Sequence, residues 1–228
     1  TQAFGVVILP LQDEYGWSQG SITLAYGISA IVSALLSPAI GIATDRYGGR
    51  PVLFAGVTCF FAGTAISALA TDVWHIWVSD GIFLGITQSC LNVALITTAT
   101  YWFREKLGLG VGLLQCAQGV GPAGTTLLIG ILLAHYDWRV ALWSLGIGCG
   151  TVMTIIVFFF RSRPSDMGID PLGRAWSGEV NQRFSREIRL LRDKVRAASI
   201  QSTSAFWKLV MVHYLGCVSH AIVIVYII

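Results

Sequence analysis

The stretch "GIATDRYGGRPVL", residues 41–53, sets an acid, two arginines and three glycines between two long apolar runs. The Tyr47-Gly48-Gly49 run predicts a tight turn, because glycine reaches backbone angles that are closed to other residues. A turn does not explain Asp45, since an acid at the C-terminal end of a helix is opposed by the helix dipole. We therefore expect a further interaction that compensates the charge of Asp45.

The runs on either side of this stretch are typical of membrane-spanning helices. The chain has 228 residues, of which 54% are hydrophobic and 12% are charged, whereas soluble domains carry about 25% charged residues. A helix that crosses the hydrocarbon core needs about 20 mainly apolar residues. Stretches of this kind occur at 19–43, 52–71, 74–102, 108–134 and 139–160. Residues 1–11 are typical of the end of an earlier span, and residues 206–228 of most of a seventh.

These spans predict an all-α polytopic membrane protein, which we interpret as a piece of a longer protein. The predicted parts are an N-terminal bundle of six helices over 1–160 with a truncated first helix, a connector over 161–205, and the start of a seventh helix over 206–228. Within the connector, apolar residues recur at helical spacing from Val180 to Val195, with arginines between them. This pattern fits a basic amphipathic helix on the inner leaflet, and it fits a solvated linker helix equally well.

Positive charge is distributed unevenly about the predicted spans. Fourteen of the fifteen lysines and arginines lie on one side of them, and Arg139 alone lies on the other. Basic residues collect on the cytoplasmic side of membrane proteins. We therefore predict a multi-pass protein of the cell membrane with the segments 44–51, 103–107 and 161–205 in the cytoplasm.

Several classes of function do not fit this sequence. The net charge of +3 does not indicate a nucleic-acid partner, because the charges are confined to connecting segments without regularly spaced stacking aromatic residues. No His/Cys cluster has metal-ligand spacing, and the five cysteines all lie in apolar runs, where they are most simply small core residues. Catalysis is not expected, because neither H-E-x-x-H nor G-x-S-x-G occurs, and nothing in the sequence requires a cofactor.

At residues 41–50 the chain resembles the major facilitator superfamily, whose loop between helices two and three reads approximately G-x-x-x-D-R-x-G-R-R. The residues that match this pattern in spacing are Gly41, Asp45, Arg46, Gly48 and Arg50. Gly49 stands where many members have an arginine. The resemblance implies that the acid faces a helix N-terminus and a basic residue of the other half of the protein, which locks the cytoplasmic side in the outward-open state. The matching residues are therefore predicted to form a conformational gate.

Further motifs are similar to the monocarboxylate-transporter and oxalate/formate-antiporter branch of that superfamily. They are "FGVVILPLQDEYGWSQGSI", "YWFREKLGLGVGL", "HYDWR", "RSRPSDMGIDPLG" and "FWKLVMVHYLGC". This resemblance implies secondary active transport of a small monocarboxylate or related organic anion across a lipid bilayer by alternating access, coupled to protons or by exchange. The alternatives are a major facilitator transporter of another cargo, such as a drug, a sugar or nitrate, and a non-transporting membrane receptor on the same fold.

Polar residues within the predicted spans are candidates for a substrate cavity, which the resemblance places among helices one, four, five and seven in this chain. The candidates are Gln88, Asn92, Gln115, Gln118 and His220. Gln88 and Asn92 share one face of the fourth helix, and Gln115 and Gln118 share one face of the fifth. Hydrogen bonding between helices inside the bundle explains the amides equally well.

An acidic residue in the fourth span and the glycines of the fifth span lead to two further predictions. Asp80, inside the fourth span, is a candidate proton site, because ionisable residues within membranes are commonly functional. The alternative is an acid near a helix N-terminus that is favoured by the helix dipole and reaches water. The fifth span is rich in glycine between Gly108 and Gly130, which predicts close packing against its neighbours.

Overall fold

The computed structural model describes residues 8–103 and 106–168, together with 203–204, 207–208, 210–212 and 215. The chain divides into two compact units, Thr1–Ala175 and Trp176–Ile228. The predicted connector helix, His220 and most of the predicted seventh span lie outside the described residues. The predicted domain boundaries at 160 and 205 therefore stay predictions.

Helices follow one another along the described part of the first unit. They are α1 (Ile8–Tyr15), α2 (Gln19–Tyr47), α3 (Gly49–Ala68), α4 (Val73–Trp102), α5 (Leu107–His135) and α6 (Trp138–Phe159). A short 3₁₀ turn, Pro164–Met167, follows α6. Helices α2 to α6 are each long and apolar enough to cross a membrane, and they correspond to the five predicted spans with ends shifted by at most four residues. The prediction of an all-α polytopic protein is confirmed.

The connection between α2 and α3 is shorter than predicted. Helix α2 continues to Tyr47 and α3 begins at Gly49, so Gly48 alone separates them. The predicted loop over 44–51 is therefore wrong in its extent. Asp45 lies in the last turn of α2 rather than in a loop, which fixes the direction of its side chain relative to the helix axis.

Two different properties of glycine permit this one-residue turn. Gly48 has a φ of +90°, which side-chain-bearing residues rarely adopt. Its amide donates to the carbonyl of Thr44 at 2.9 Å, which closes the C-terminal end of α2. Gly49 is buried, and a Cβ atom there would lie 2.8 Å from Oγ1 of Thr98 on α4. Gly48 thus provides the backbone angle, and Gly49 allows α3 to approach α4 closely.

Helix α4 lies at the centre of the described bundle, because α2 and α3 both pack along it, and α6 packs on α3. Glycines allow the closest contacts. A Cβ atom on Gly85 of α4 would lie 2.9 Å from the carbonyl oxygen of Ser29 on α2, and one on Gly56 of α3 would lie 2.9 Å from Cβ of Cys90. Since lipid tails are as apolar as side chains, van der Waals packing of this kind drives the association of membrane helices.

Helix α5 packs less closely than its glycine content predicts. A Cβ atom on Gly110 would lie 2.7 Å from the ring of Phe103. For the other glycines of α5, no described atom outside the adjacent backbone of the same helix lies within 4 Å of the Cβ position. The prediction of close packing along this helix is therefore wrong for the described bundle, where α5 lies at the edge and contacts mainly α4 and α6. Cys116 of α5 is likewise exposed, so the expectation of a core residue is wrong there, whereas Cys90 of α4 is buried.

The first part of α4 departs from regular α-helical geometry. Residues Trp77–Phe83 form π-helical turns between two α-helical segments. Such turns are rare and often occur at functional sites. Asp80 and Gly81 lie within this segment, and a Cβ atom on Gly81 would lie 2.8 Å from Cγ2 of Ile28 on α2. The segment therefore places an acidic residue beside a tight contact between helices.

Candidate functional site

The acid of the predicted gate is hydrogen-bonded within the described bundle. The hydroxyl of Tyr101 at the end of α4 donates to Oδ1 of Asp45 at 3.0 Å, which links the ends of α4 and α2. Nη2 of Arg163 donates to the backbone carbonyl of Asp45 at 3.4 Å. The Asp45 side chain is exposed, and residues of the described ranges make no second bond to its carboxylate. A hydroxyl from α4 therefore compensates part of the charge of Asp45, and a further partner has access to it.

The arginines of the predicted gate contact aromatic rings. The guanidinium of Arg46, which is exposed, lies 5.2 Å from the centre of the Tyr47 ring. The guanidinium of Arg50 lies 5.8 Å from the centre of the Phe54 ring and 5.5 Å from that of Phe158. Nε of Arg50 is buried and has no hydrogen-bond partner among the described residues. Both arginines are thus held by cation–π contacts, which leave guanidinium N–H groups available.

Other residues at the gate were not indicated by the sequence pattern. Tyr101 donates to the carboxylate of Asp45, Arg163 donates to its backbone carbonyl, and Oγ of Ser162 accepts a hydrogen bond from the backbone amide of Arg50 at 3.0 Å. In the sequence, Ser162 and Arg163 directly follow a predicted span and Tyr101 lies near the end of another, but no spacing rule links these residues to residues 41–50. Packing does not require glycine at residue 41 as it does at residue 49, because a Cβ atom at residue 41 would make an ordinary contact of 3.8 Å with Val93.

Two of the cavity candidates meet between α4 and α5. Nε2 of Gln118 donates to Oδ1 of Asn92 at 2.5 Å. Asn92 is half-buried, whereas Gln88, Gln115 and Gln118 are exposed in the described bundle. The structure therefore brings Asn92 and Gln118 together, while Gln88 and Gln115 form no hydrogen bond with a described side chain. His220 lies outside the described residues, and its place in a cavity stays a prediction.

Replacing Asn92 and Gln118 by alanine, singly and together, is expected to give coupled changes in stability, because each removes a partner of the same bond. Polar bonds between membrane helices contribute about 0.6 kcal/mol on average, so the double-mutant cycle should give a coupling free energy of roughly that size. Chemical unfolding of the four proteins in detergent measures it. A cycle of Asn92 with Gln115, one helical turn before Gln118, is the control without coupling. Additive effects for Asn92 and Gln118 would contradict the contact.

Asp80 is held by two serine hydroxyls. Oδ2 of Asp80 accepts from Oγ of Ser67 on α3 at 3.0 Å and from Oγ of Ser79 at 3.1 Å. Only 6% of the residue is exposed, so the alternative in which it reaches water is wrong for the described bundle. The facing helices α2 and α3 carry no Asp, Glu, Lys, Arg or His in 21–44 and 51–68. An acid buried in a span beside hydroxyls rather than a basic partner is a candidate functional site.

At the opposite end of the bundle, a cluster that the sequence did not indicate ties α1 to α6. Oε1 of Glu14 and Nη1 of Arg139 form an ion pair at 2.9 Å. Nε1 of Trp138 donates to the other carboxylate oxygen of Glu14, and Nη2 of Arg139 donates to the hydroxyl of Tyr15. This hydroxyl donates in turn to the carbonyl of Ala70, just after α3, at 3.1 Å. Arg139, the isolated basic residue on its side of the spans, therefore joins three parts of the bundle.

The cluster predicts a pH dependence of stability. The hydrogen bond from Trp138 and the charge of Arg139 hold the pKa of Glu14 below its ordinary value of 4.5. A carboxyl group whose pKa is lowered by folding stabilises the folded protein above that ordinary value, and the contribution is lost as the pH falls through the lowered pKa. We therefore expect acidification below 4.5 to lower the thermal unfolding midpoint more in the wild type than in Glu14→Gln.

The control for this prediction is Asp13→Asn, which removes the neighbouring exposed acid outside the cluster. It should keep the acid-induced loss of the wild type. An identical pH dependence in the wild type and Glu14→Gln would contradict the role assigned to Glu14.

Comparison with known families accounts for the helical bundle and for the pattern at the α2–α3 turn. Residues 1–228 match the sequence profile of the Major Facilitator Superfamily. The chain belongs to the major facilitator superfamily. The match extends over the whole chain and agrees with the five membrane-crossing helices of the described part. Members of this superfamily are transporters and generally not enzymes, so the chain is a polytopic membrane protein of a transporter family.

Relatives within the superfamily include monocarboxylate transporters. Monocarboxylate transporter 9 of Rattus norvegicus is 26% identical over 157 residues, which are 66% of this chain and 31% of the relative. Monocarboxylate transporter 14 of Homo sapiens is 24% identical over 169 residues, 74% of this chain and 32% of the relative. The uncharacterized MFS-type transporter YhcA of Bacillus subtilis is 26% identical over 167 residues, 72% of this chain and 31% of the relative. The matched region spans about a third of the length of these relatives.

Proposed function

We propose that the protein containing this chain is a secondary active transporter of a small monocarboxylate or related organic anion that works by alternating access. The observation that carries the proposal is the similarity to monocarboxylate transporters 9 and 14, which covers 66% and 74% of the chain. Major facilitator transporters consist of two halves that rock against each other around a substrate site near the membrane midplane. In this proposal the described bundle belongs to one of the two halves.

The exposed polar face of α4 and α5 is the proposed wall of the substrate cavity in this half. Its side chains are Gln88, Asn92, Gln115 and Gln118, and the hydrogen bond between Asn92 and Gln118 fixes the orientation of two of them. His220 would contribute from the seventh helix. These amides are proposed to orient the cargo by hydrogen bonds.

An anionic cargo also needs a positive partner. Helices α2 to α6 carry arginine only in their end turns and no lysine at all. We therefore place the basic groups that bind the anion in the second half of the protein or in the first helix. The amide face of α4 and α5 would select the shape of the cargo, and the basic groups elsewhere would provide most of the binding energy.

The α2–α3 turn is the proposed gate of this transporter. We place it on the cytoplasmic side of the cell membrane, where the segments 103–107 and 161–205 are also expected to lie. Asp45 is exposed, and Tyr101 is the one described side chain that bonds to its carboxylate. The carboxylate is therefore accessible to a helix end or a basic group of the other half. Closing this contact in one state and opening it in the other would couple the turn to alternating access.

Uptake into liposomes containing the full-length protein tests this function. Labelled pyruvate, lactate and oxalate are offered with and without an inward proton gradient, and with and without unlabelled anion inside. Uptake stimulated by the gradient would support proton coupling, and uptake that requires internal anion would support exchange. Binding without net flux would indicate a receptor. Failure to transport any of the three by a folded protein would contradict the proposed cargo.

A transporter of another cargo is the second candidate. The similarity to YhcA, a protein named as an MFS-type transporter without a cargo, matches that of the monocarboxylate transporters in identity and coverage. Competition of labelled anion uptake by a sugar, a cationic drug and nitrate distinguishes the two candidates. Inhibition by unlabelled monocarboxylates, but not by these three compounds, favours transport of monocarboxylates.

Asp80 is the proposed proton site of the described half. Replacing Asp80 by asparagine is expected to abolish stimulation of uptake by the proton gradient, because the amide cannot bind and release a proton. Exchange of labelled for unlabelled anion at equal pH should persist. The control is Ser67→Ala, which removes one hydrogen bond to the carboxylate but keeps the acid, and which should retain the stimulation. Unchanged gradient-stimulated uptake in Asp80→Asn would remove Asp80 from the coupling mechanism.

A further inference from the structure

A pocket rich in arginine lies at the α2–α3 turn and the end of α6. Its volume is about 410 Å³. We name it the arginine pocket after the four basic residues that line it, Arg46, Arg50, Arg161 and Arg163. The residues lining it include no aspartate or glutamate. Four charges of one sign around a single small volume repel each other, so an anion between them would be bound favourably.

Among the side chains that the structure describes, no carboxylate forms an ion pair with these arginines. The ion pair present there joins Glu14 to Arg139, at the other end of the bundle. The arginines of the pocket contact aromatic rings and carbonyl groups instead, as Arg50 does with Phe158 at 5.5 Å and Arg163 with the carbonyl of Asp45 at 3.4 Å. Such contacts orient a guanidinium group without cancelling its charge. The carboxylate of Asp45, bonded to Tyr101 beside Arg163, offsets one of the four charges, so the pocket keeps a net positive charge.

The scaffold of the pocket is fixed by bonds that link its two sides. Oγ of Ser162 accepts from the amide of Arg50 at 3.0 Å, which holds the segment after α6 against the first turn of α3. The N-terminal end of α3, a helix of 20 residues, adds partial positive charge at the same place. Nε of Arg50 is a buried donor without a partner among the described residues.

An apolar cavity adjoins the arginine pocket. It has a volume of about 590 Å³, and Phe160 and Arg161 line both spaces. Its remaining lining is mainly apolar and includes Leu113 of α5. The end of α6 beside it is exposed and apolar, with Phe158 59% and Phe159 75% accessible. A surface of this kind is suited to lipid tails, so the neighbouring spaces favour an anion that carries a hydrocarbon chain over a free anion.

We propose that the arginine pocket binds the phosphate group of an anionic phospholipid, with part of an acyl chain in the adjoining apolar cavity. The planar guanidinium group pairs with phosphate oxygens through two parallel hydrogen bonds. Basic clusters beside membrane spans attract anionic lipids. The proposal does not depend on the cargo of the transporter, because the pocket lies at the end of the helices and not on the polar face of α4 and α5.

The test uses the full-length protein in vesicles of phosphatidylcholine with and without phosphatidylglycerol. The phosphatidylglycerol retained by the purified protein is measured by mass spectrometry, and its affinity by the shift of the thermal unfolding midpoint during titration in detergent. Arg161→Gln/Arg163→Gln is expected to weaken the affinity by about tenfold or more, since charge-assisted hydrogen bonds are lost. Arg161→Lys/Arg163→Lys, which keeps the charges but not the fork geometry, should retain an intermediate affinity.

The control is Lys106→Gln, which removes a positive charge at an exposed residue of the first unit that does not line the pocket. It should keep the wild-type affinity. Equal losses in the control and the pocket variant would show only general attraction to anionic membranes and would overturn the proposal. A wild type that retains phosphatidylglycerol no better than phosphatidylcholine would also overturn it, whether or not the variants fold. Protection by inorganic phosphate equal to that by the lipid would assign the pocket to free phosphate instead.

Discussion

Replacing Gly85 by alanine is expected to destabilise the folded bundle. The added Cβ atom would lie 2.9 Å from the carbonyl oxygen of Ser29 and 3.1 Å from its Cα atom. Both are backbone atoms of α2 that cannot rotate away, so α2 and α4 would have to separate along their interface. Overpacking of this kind costs about 1–3 kcal/mol in the free energy of unfolding. Chemical or thermal unfolding of the full-length protein in detergent measures the loss.

The control is the same substitution at Gly148 of α6, where no described residue outside the adjacent helical backbone lies within 4 Å of the Cβ position. Alanine is favoured over glycine inside helices by about 1 kcal/mol, so Gly148→Ala should leave stability unchanged or raise it. Changes of opposite sign in the free energy of unfolding would demonstrate that the contact with α2, and not the loss of glycine as such, makes alanine unfavourable at residue 85. Equal effects would contradict the close approach of α2 and α4.

Asp45→Asn is expected to reduce uptake strongly in the full-length protein. Under the proposed function the carboxylate closes the gate through a charged contact with the other half. Hydrogen bonds to charged groups contribute about 1.5–3 kcal/mol, so losing this contact should slow transport by roughly tenfold or more. The amount of folded protein should be nearly unchanged, because Asp45 is exposed. Initial rates of labelled anion uptake, normalised to the protein in the vesicles, provide the measurement.

The substitution Tyr101→Phe distinguishes the effect of the Asp45 charge from the effect of its hydrogen bond to Tyr101. This substitution removes the hydroxyl that donates to Oδ1 of Asp45 but leaves the carboxylate in place. We expect it to retain most of the uptake if the charge acts across the two halves. A loss as large as that of Asp45→Asn would assign the effect to the link between α2 and α4, and normal uptake in Asp45→Asn would contradict the gate.

The elements of the fold were predicted well because their signals are local. Each span is a continuous apolar run with polar residues at its ends, so the five predicted spans and the helices α2 to α6 differ by at most four residues at their ends. The extent of the α2–α3 loop was predicted incorrectly, because charged residues can continue a helix beyond the apolar run. Asp45 does so at the end of α2, and the chain turns only at Gly48.

Packing was predicted less well, as the glycines show. The count of glycines indicated α5 as the closely packed helix, yet only Gly110 of α5 makes a tight contact. The other tight contacts lie on α3, α4 and α6, for example at Gly56, Gly85 and Gly150. A glycine permits close approach, but the position of the neighbouring helix determines whether the approach occurs. The same limit applies to the candidate site, where periodicity placed Asn92 and Gln118 on helix faces but did not pair them.

The sequence by itself determined that this protein is a helical membrane protein of the major facilitator superfamily, because hydrophobic run length and a short motif with fixed spacing are properties of neighbouring residues. Only the tertiary structure decided which distant groups meet: Glu14 with Arg139, Asp80 with Ser67, and Arg50 with Ser162. The physical reason is that such contacts depend on the rotation and tilt of whole helices. Those are set by the packing of many small residues at once, and no single segment of the chain specifies them.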